Sequence, residues 1–346
     1  MDIEFPLLKY ILRHFFMLKQ TALFLLATVL ICSACENDID VNAEWKETAV
    51  VYGLLDPGTP TQFIRIQRTY QNGYGDAIKL AQVGDSLFFD TLSVSLDVYN
   101  QNGNYVTTHN LYLDQSITKD TGMFAAQPNT LYAFNNPINS NFNYQLKIRN
   151  PRSGKEYASS TSIVKPSFIM GGLPALFYVA PNRSTSFRVN TGVRGLSYDM
   201  VLKFFYMEYD SITSDSSEHS IQWINVSNFM ASDDKGGEEL IMKLTGSLMY
   251  DFVAANVFPK AKVYRRMKSC KVSFVGGATA LVDYISLSRP SIGIVQKKPE
   301  YSNITNGLGI FSSRCTQSDS LAVNDSMNFH LQNLPAAKGL GFRSKL

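Results

Sequence analysis

The sequence predicts a mostly-β protein of two antiparallel β-sandwich domains, the second with one amphipathic helix. Short segments of alternating apolar and polar residues recur along the chain, separated by clusters of Asn, Asp, Gly and Pro. A period of two places every second side chain on one face of a strand, so this pattern is typical of antiparallel sheets. Tyr and Phe dominate an aromatic fraction of 12%, and both are enriched in strands.

An apolar run near the amino terminus ends in a short cysteine-containing segment. Residues 21–31 are apolar and precede Cys32-Ser33-Ala34-Cys35. The run fits the roughly 7 to 15 apolar residues of a secretory signal and falls short of the ~20 that cross a bilayer. Small residues before Cys35 fit a lipoprotein cleavage site. We therefore expect residues 1–34 to be a signal peptide and the Cys35 thiol to carry a diacylglyceryl group; the alternative is a buried or membrane helix.

Two further expectations concern the same region. Residues 17–20 resemble an ordinary signal start, so translation begins either at Met1 or at Met17. Residues 35–47 are polar and acidic, with Glu36, Asp38 and Asp40 just after the lipid-accepting cysteine. We expect them to form a solvated tether between the membrane and the fold.

The first sandwich is predicted over residues 48–166. An apolar run at 49–55 is followed by the turn cluster Asp56-Pro57-Gly58, and Asn102-Gly103 is a strong hairpin signal. Short antiparallel strands at such spacing favour an immunoglobulin-like sandwich. The predicted strands are 49–55, 64–67, 92–98, 105–113, 144–149 and 157–164.

The second domain is predicted over residues 167–346, after the break at Pro166 and Gly171-Gly172-Leu173-Pro174. Strands are expected at 187–189, 200–209, 220–226, 262–275 and 280–287. Apolar residues at helical spacing predict one amphipathic helix near 238–256, with Ser232-Asp233-Asp234 as N-cap candidates. The apolar residues are Leu240, Ile241, Leu244, Leu248, Met249 and Phe252.

Two cysteines remain after processing. In an extracytoplasmic compartment Cys270 and Cys315 could form a disulfide. The alternative is two separate buried thiols, and the sequence leaves both open. Neither has a CxxC partner or a nearby His, which disfavours a redox or metal role.

Catalytic and binding motifs are scarce. His109, His219 and His330 are the histidines after Cys35, and they lack the spacing of a metal site. Three basic and two acidic side chains precede Cys35, so the remaining chain is nearly neutral, and its basic cluster at 265–271 splits between the two faces of a strand. We expect no catalytic residue, no cofactor, no metal and no nucleic-acid partner.

Two segments carry a resemblance to a known family. The stretch VYGLLDPG at residues 51–58 and the stretch YSNITNGLGIF at residues 301–311, together with the signal ending at Cys35, resemble a family of Bacteroidota outer-membrane lipoproteins that is catalogued as a domain of unknown function. Members are commonly encoded beside TonB-dependent transporters of the starch-utilisation type. The polar loop at 210–218 does not align with the family.

The resemblance implies a function and a cellular location. It implies a non-enzymatic, lipid-anchored accessory or substrate-binding subunit of a TonB-dependent barrel transporter, with no known ligand. The alternative is a free-standing surface lipoprotein that binds glycan or another envelope component. In this context the acidic residues after Cys35 favour the cell surface over the periplasmic face of the outer membrane.

Overall fold

The computed structural model describes residues 47–69, 77–169 except 121 and 123, 172–288 and 301–345. Strands account for 46% and helices for 15%, and several sheets are antiparallel, which confirms the mostly-β prediction. The predicted signal peptide, Met17, Cys35 and all of the tether except Glu47 lie outside the described residues.

The described elements fall into three groups. Strands before residue 170 are β1 (Ala49–Leu55), β2 (Gln62–Arg68), β3 (Ser93–Tyr99), β4 (Tyr105–Asn110), β5 (Tyr112–Asp114), β6 (Leu131–Phe134), β7 (Asn143–Arg149), β8 (Glu156–Ser162) and β9 (Phe168–Ile169). Later strands are β10 (Leu176–Phe177), β11 (Ser184–Asn190), β12 (Ser197–Asp210), β13 (Ser216–Met230), β14 (Glu239–Thr245), β15 (Val263–Gly277) and β16 (Leu308–Val323). Helices are α1 (Ala77–Ala81), α2 (Gly84–Leu87), α3 (Gly246–Asn256), α4 (Thr279–Ser288) and α5 (Asp325–Asn333), followed by a 3-10 turn at Pro335–Ala337.

Among the described residues these strands form one long sheet and two smaller ones. The long sheet has the order β13-β12-β15-β16-β1-β2-β6-β5, and β10 also pairs with β16. The smaller sheets have the orders β14-β11-β9 and β4-β3-β7-β8. β1 and β10 run parallel to β16, and the remaining described pairs are antiparallel. β16 therefore joins the two halves of the sequence.

Two hydrophobic cores lie on one face of the long sheet. The first packs β1 and β2 against the four-stranded sheet, and it includes Phe311 of β16. The second packs β12 and β15 against β11, β14 and α3, and it includes Leu321 of β16. Phe311 and Leu321 fall on the same side of β16 because side chains alternate along a strand. Ile304 and Phe311 belong to the first core although they lie in the predicted second domain, 167–346, so the cores do not follow the boundary predicted at residue 166. β16 contributes to both cores.

The predicted helix near 238–256 is wrong in its first half. Residues 239–245 form β14, in which Leu240, Met242 and Leu244 are buried while Ile241 is 51% exposed. The apolar residues of this segment fit both a helical and a strand period, and pairing with β11 selects the strand. The helix begins only at Gly246, and Ser232 does not cap it: its amide and hydroxyl both donate to Glu238, at 2.7 Å.

The second half also holds helices that the sequence analysis did not predict. Residues 279–288, within which a strand is predicted at 280–287, form α4. α5 follows β16 and is capped by Asn324, whose side chain accepts a hydrogen bond from the Ser326 amide at 2.9 Å.

Candidate functional site

The face of the long sheet opposite the two cores carries an open groove beside α4. The groove has a volume of about 680 Å³, and small-ligand pockets span roughly 300 to 1,000 Å³. Hollows of about 390 Å³ beside Phe177 and about 500 Å³ beside Tyr157 are smaller. The apolar and aromatic residues that line the groove are Tyr52, Leu54, Pro60, Phe63, Leu281, Tyr284, Ile285 and Ile310.

Strand alternation and a half-exposed helix create this groove. Tyr52 and Leu54 alternate with the buried Val51 and Leu55, so they face away from the first core. No residue of α4 is buried, so the helix covers the sheet only in part. The floor of the groove is therefore an apolar strand surface in which Tyr52 is exposed, Leu54 and Phe63 are half-buried and Ile310 is buried.

Asp56 closes one end of the groove. Its side chain is 1% exposed, and its Oδ1 accepts hydrogen bonds from the amides of Gly58 at 2.8 Å and Thr316 at 3.0 Å. Its Oδ2 accepts from the Thr316 hydroxyl at 2.6 Å and from Nε of Arg314 at 3.1 Å. Four donors thus satisfy this buried carboxylate, and the turn after β1 is fastened to β16.

Gly58 is required by the same junction. A Cβ at this position would lie 2.2 Å from the carbonyl oxygen of Thr316, which is closer than any real contact. The Asp56-Pro57-Gly58 turn, predicted from sequence as a hairpin connection, is therefore also a docking point for a distant strand.

Gln62 completes the polar end. Its Oε1 accepts from the Asp56 amide at 2.8 Å, and its Nε2 donates to the carbonyl oxygens of Asp56 and Thr59, both at 2.9 Å. Gln62 is 2% exposed. The buried polar groups at this end are thus used internally, and they have little capacity left for a ligand.

Two tyrosines, Tyr52 and Tyr284, line the opposite side, and Tyr301 contacts Tyr284. The ring of Tyr284 on α4 meets the rings of Tyr52 and Tyr301 edge to face, each with centroids 6.4 Å apart. Burial, followed by the neighbouring Tyr284 hydroxyl, raises the pKa of Tyr52 to about 12. The Tyr52 phenol is therefore uncharged at neutral pH, and this side of the groove carries no charge from it.

The segment 301–311 has a structural role beside the groove. The side chain of Asn303 accepts from the Phe311 amide at 2.9 Å and donates to the Phe311 carbonyl at 2.7 Å. Gly309 has φ +102°, and a Cβ there would lie 2.1 Å from the carbonyl oxygen of Val51. These contacts set the parallel register of β1 and β16, in which Tyr52 is opposite Ile310.

The two cysteines are free, buried thiols. In the register of β15 and β16, Cys270 lies opposite Leu321, and Cys315 lies opposite Gly276. The two cysteines are therefore six positions apart along this strand pair. At ~3.3 Å per residue this is ~20 Å, well beyond the roughly 4.4–6.8 Å between the Cα atoms of a disulfide. The disulfide alternative is therefore wrong. Burial, with the nearby Asp56 charge second, raises the pKa of Cys315 to about 12. Burial also raises the pKa of Cys270. Both shifts disfavour the nucleophilic thiolate form.

No group of three or more His, Cys, Asp or Glu that could hold a metal occurs among the described residues. Two acidic residues that flank the loop after β12, Asp210 in β12 and Glu218 in β13, have other partners. Asp210 accepts from the amides of Ile212 and Thr213 at 2.8 and 3.2 Å, and Glu218 pairs with Lys268 at 2.6 Å. These two carboxylates are therefore held by the turn itself and by β15.

The groove itself is the feature that the sequence analysis missed. Its wall was predicted as a strand, although Leu281, Tyr284 and Ile285 have the i, i+3, i+4 spacing of a helix face. Arg314 carries no local signal, because its role depends on Asp56, which lies far away in the sequence.

Comparisons with known proteins show no family for this chain. No protein-family model and no curated protein matches the sequence. A crystal structure of trypsin-activated alpha-2-macroglobulin from Escherichia coli is 13% identical over 81% of this chain and 16% of that one, with a TM-score of 0.18. The C-terminal globular domain of an oligosaccharyltransferase from Pyrococcus abyssi is 8% identical over 83% of this chain and 52% of that one, with a TM-score of 0.26. Scores this low do not bear on function.

Within the described part, no helix is long and apolar enough to cross a membrane.

Proposed function

We propose that this protein is a lipid-anchored, non-enzymatic protein of the outer membrane, exposed at the cell surface, that serves as an accessory or substrate-binding subunit of a TonB-dependent transporter. Cys35 provides the anchor. Burial of acyl methylenes contributes ~0.8 kcal/mol each, so several chains on one cysteine give firm attachment where one chain is marginal.

One observation carries the proposal. The two segments that resemble the lipoprotein family, 51–58 and 301–311, are far apart in the sequence yet pair as β1 and β16. Tyr52, Leu54 and Asp56 from the first and Ile310 from the second line the same groove. The residues behind the resemblance thus converge on a single concave surface, and a shared binding site accounts for that convergence.

The chemistry of the groove favours binding over catalysis. The charged residues that line it are Asp56 and Arg314, which pair with each other at 3.1 Å. Asp56 already accepts four hydrogen bonds, so it has no lone pair left to act as a base. Among the described residues that line the groove there is no His or Cys.

The proposal is tested by extracting native membranes in mild detergent, capturing the tagged protein and identifying its partners by mass spectrometry. We expect a barrel transporter to co-purify. A Cys35→Ala variant serves as the anchoring control, because it should lose labelling by radioactive palmitate and remain an unprocessed precursor. If the wild-type protein elutes alone, the transporter part of the proposal is rejected; if Cys35→Ala is still labelled, the lipid lies elsewhere.

The free-standing alternative has one observation in its favour. Tyr52 is 40% exposed and lines the groove beside Tyr284, and tyrosine rings can stack on sugars. Retardation of the protein in glycan-containing gels, without any barrel partner, would support this alternative.

A further inference from the structure

We propose that the groove beside α4 binds an apolar monocarboxylate, a linear acyl chain whose carboxylate meets Arg314. The inference rests on the proposed function in one respect, the choice of the groove as the binding site.

Arg314 offers a fixed anion-binding group. Its Nε is bound to Asp56, and no hydrogen bond joins either Nη to any described residue. Its side chain is 44% exposed. Asp56 is in turn held by Thr316 and Gly58, so the guanidinium is oriented in advance. Its two Nη groups can donate a bidentate pair of hydrogen bonds to a carboxylate.

The remaining polar groups argue against a peptide or a sugar. The amide of Gln62 is fully engaged by Asp56 and Thr59. β1 is paired with β16 on one edge and β2 on the other, so its backbone has no free edge for a peptide strand. Apart from the hydroxyls of Thr61, Tyr52 and Tyr284, the described lining offers few hydrogen-bonding groups. A ligand rich in N–H, C=O or O–H groups would leave many of them unpaired, at a cost in affinity.

A hydrocarbon chain fits the same surface. Leu54, Phe63 and Ile310 form an apolar floor, and Leu281 and Ile285 form an apolar wall. The uncharged Tyr52 phenol continues this surface. A ligand with an apolar body and a single anionic end therefore matches this surface and the Nη groups of Arg314, which is the cation among the described residues that line the groove.

Calorimetric titration tests the inference on the full chain in lipid nanodiscs, with empty nanodiscs as the blank. The probes are hexanoate, octanoate and decanoate, each compared with the alcohol of the same length. We expect affinity to rise about fourfold per added methylene. The acids should bind about tenfold or more tighter than the alcohols, because a charged hydrogen bond is lost with the alcohol.

Two variants locate the site. Arg314→Gln should remove the preference for acid over alcohol, whereas Arg188→Gln, which alters an exposed pair with Glu239 outside the groove, should keep it. Ile285→Glu, on the half-exposed helix, should abolish binding of both probes. This second variant tests the site even if Arg314→Gln perturbs the Asp56 junction.

Equal affinity for acids and alcohols, or no saturable binding of either, would overturn the inference. So would acid binding that survives Ile285→Glu. The outcome is independent of partner capture. Acid binding without a barrel partner rejects the transporter part of the proposed function and keeps the ligand class. A barrel partner without acid binding rejects the ligand class and keeps the transporter part.

Discussion

Asp56 shows how one side chain can join two distant parts of a chain. A carboxylate with 1% exposure is costly to desolvate unless donors surround it. Here two amides, one hydroxyl and one guanidinium do so. The turn chemistry around Asp56 is readable from sequence, but its partners on β16 are not, because nothing local specifies which strand lies against the turn.

Replacing Asp56 with Asn should destabilise the fold by about 2–3 kcal/mol, because the new amide nitrogen would face donors and the charged hydrogen bonds would be lost. Urea unfolding at neutral pH measures the effect. Asp90→Asn is the matched control: Asp90 forms an exposed pair with Arg152 at 2.6 Å, and such pairs contribute at most about 1 kcal/mol. Equal losses for the two variants would contradict the role given to Asp56.

A second buried carboxylate fastens the carboxyl-terminal segment. Glu208 is 7% and Arg265 2% exposed, and Glu208 Oε1 accepts from Nε and Nη2 of Arg265 at 2.7 and 2.5 Å. Arg265 also donates through Nη1 to the Leu340 carbonyl and through its amide to the Gly341 carbonyl. Burial by itself raises the pKa of Glu208, but hydrogen bonds from Arg265 and Lys260 and the nearby charges outweigh it, so the pKa lies below its usual value.

This lowered pKa predicts a pH dependence of stability. Glu208 contributes its full stabilisation above the pKa of an unfolded Glu, ~4.3, and loses it as pH falls through the lower folded value. Glu208→Gln should cost about 3 kcal/mol at pH 7 and flatten the decline of unfolding free energy in acid. Glu218→Gln, at an exposed pair with Lys268, should leave that decline intact. An unchanged acid profile in Glu208→Gln would refute this assignment.

The parallel pairing of β1 with β16 depends on a close backbone approach. A Cβ at position 309 would lie 2.1 Å from the carbonyl oxygen of Val51, and the residue that carries it would have to adopt φ +102°. Parallel neighbours usually need a crossover connection, and here nearly the whole fold separates the two strands. The pairing is thus set by long-range packing rather than by a local turn.

Gly309→Ala should cost roughly 3 kcal/mol or more, because it combines strain at positive φ with a backbone clash. Gly103→Ala separates the two causes: Gly103 has φ +81° with nothing within 4 Å of a Cβ, so its cost should be about 1 kcal/mol. Chemical unfolding of both variants measures the difference. If the two costs agree, the close approach of β1 and β16 does not matter for stability.

A segment whose apolar residues fit only one period, that of a strand or that of a helix, was predictable from sequence. A segment that fits both periods was not. The alternation of Tyr144, Leu146 and Ile148 fits only a strand, and β7 forms there. Residues 240–244 satisfy both a helical and a strand period, and their pairing with β11 decides. At α4 the sequence predicts a strand and the structure has a helix. The segment is short and its apolar residues fit both periods, so its packing on β16 is needed to identify it as the groove wall.

The two cores are coupled because they share the long sheet and β16. The first core contains Phe311 and the second Leu321, both from that strand, and the described residues belong to one compact unit. Two sandwiches joined by a flexible linker would unfold separately. Because β16 belongs to both cores, unfolding of one core would expose the part of β16 that packs in the other. This coupling favours a single cooperative transition.

Matched core variants test this coupling by differential scanning calorimetry of the full chain. Leu146→Ala in the first core and Leu202→Ala in the second each remove a fully buried side chain, at a cost of about 2–5 kcal/mol. Each should lower the midpoint of one common transition by roughly 5 °C or more, with the calorimetric and van't Hoff enthalpies equal. Ile241→Ala, at an exposed position of β14, should shift it by about 1 °C or less. Two resolved transitions, each moved by only one leucine variant, would mean that the cores unfold independently and that β16 does not transmit stability between them.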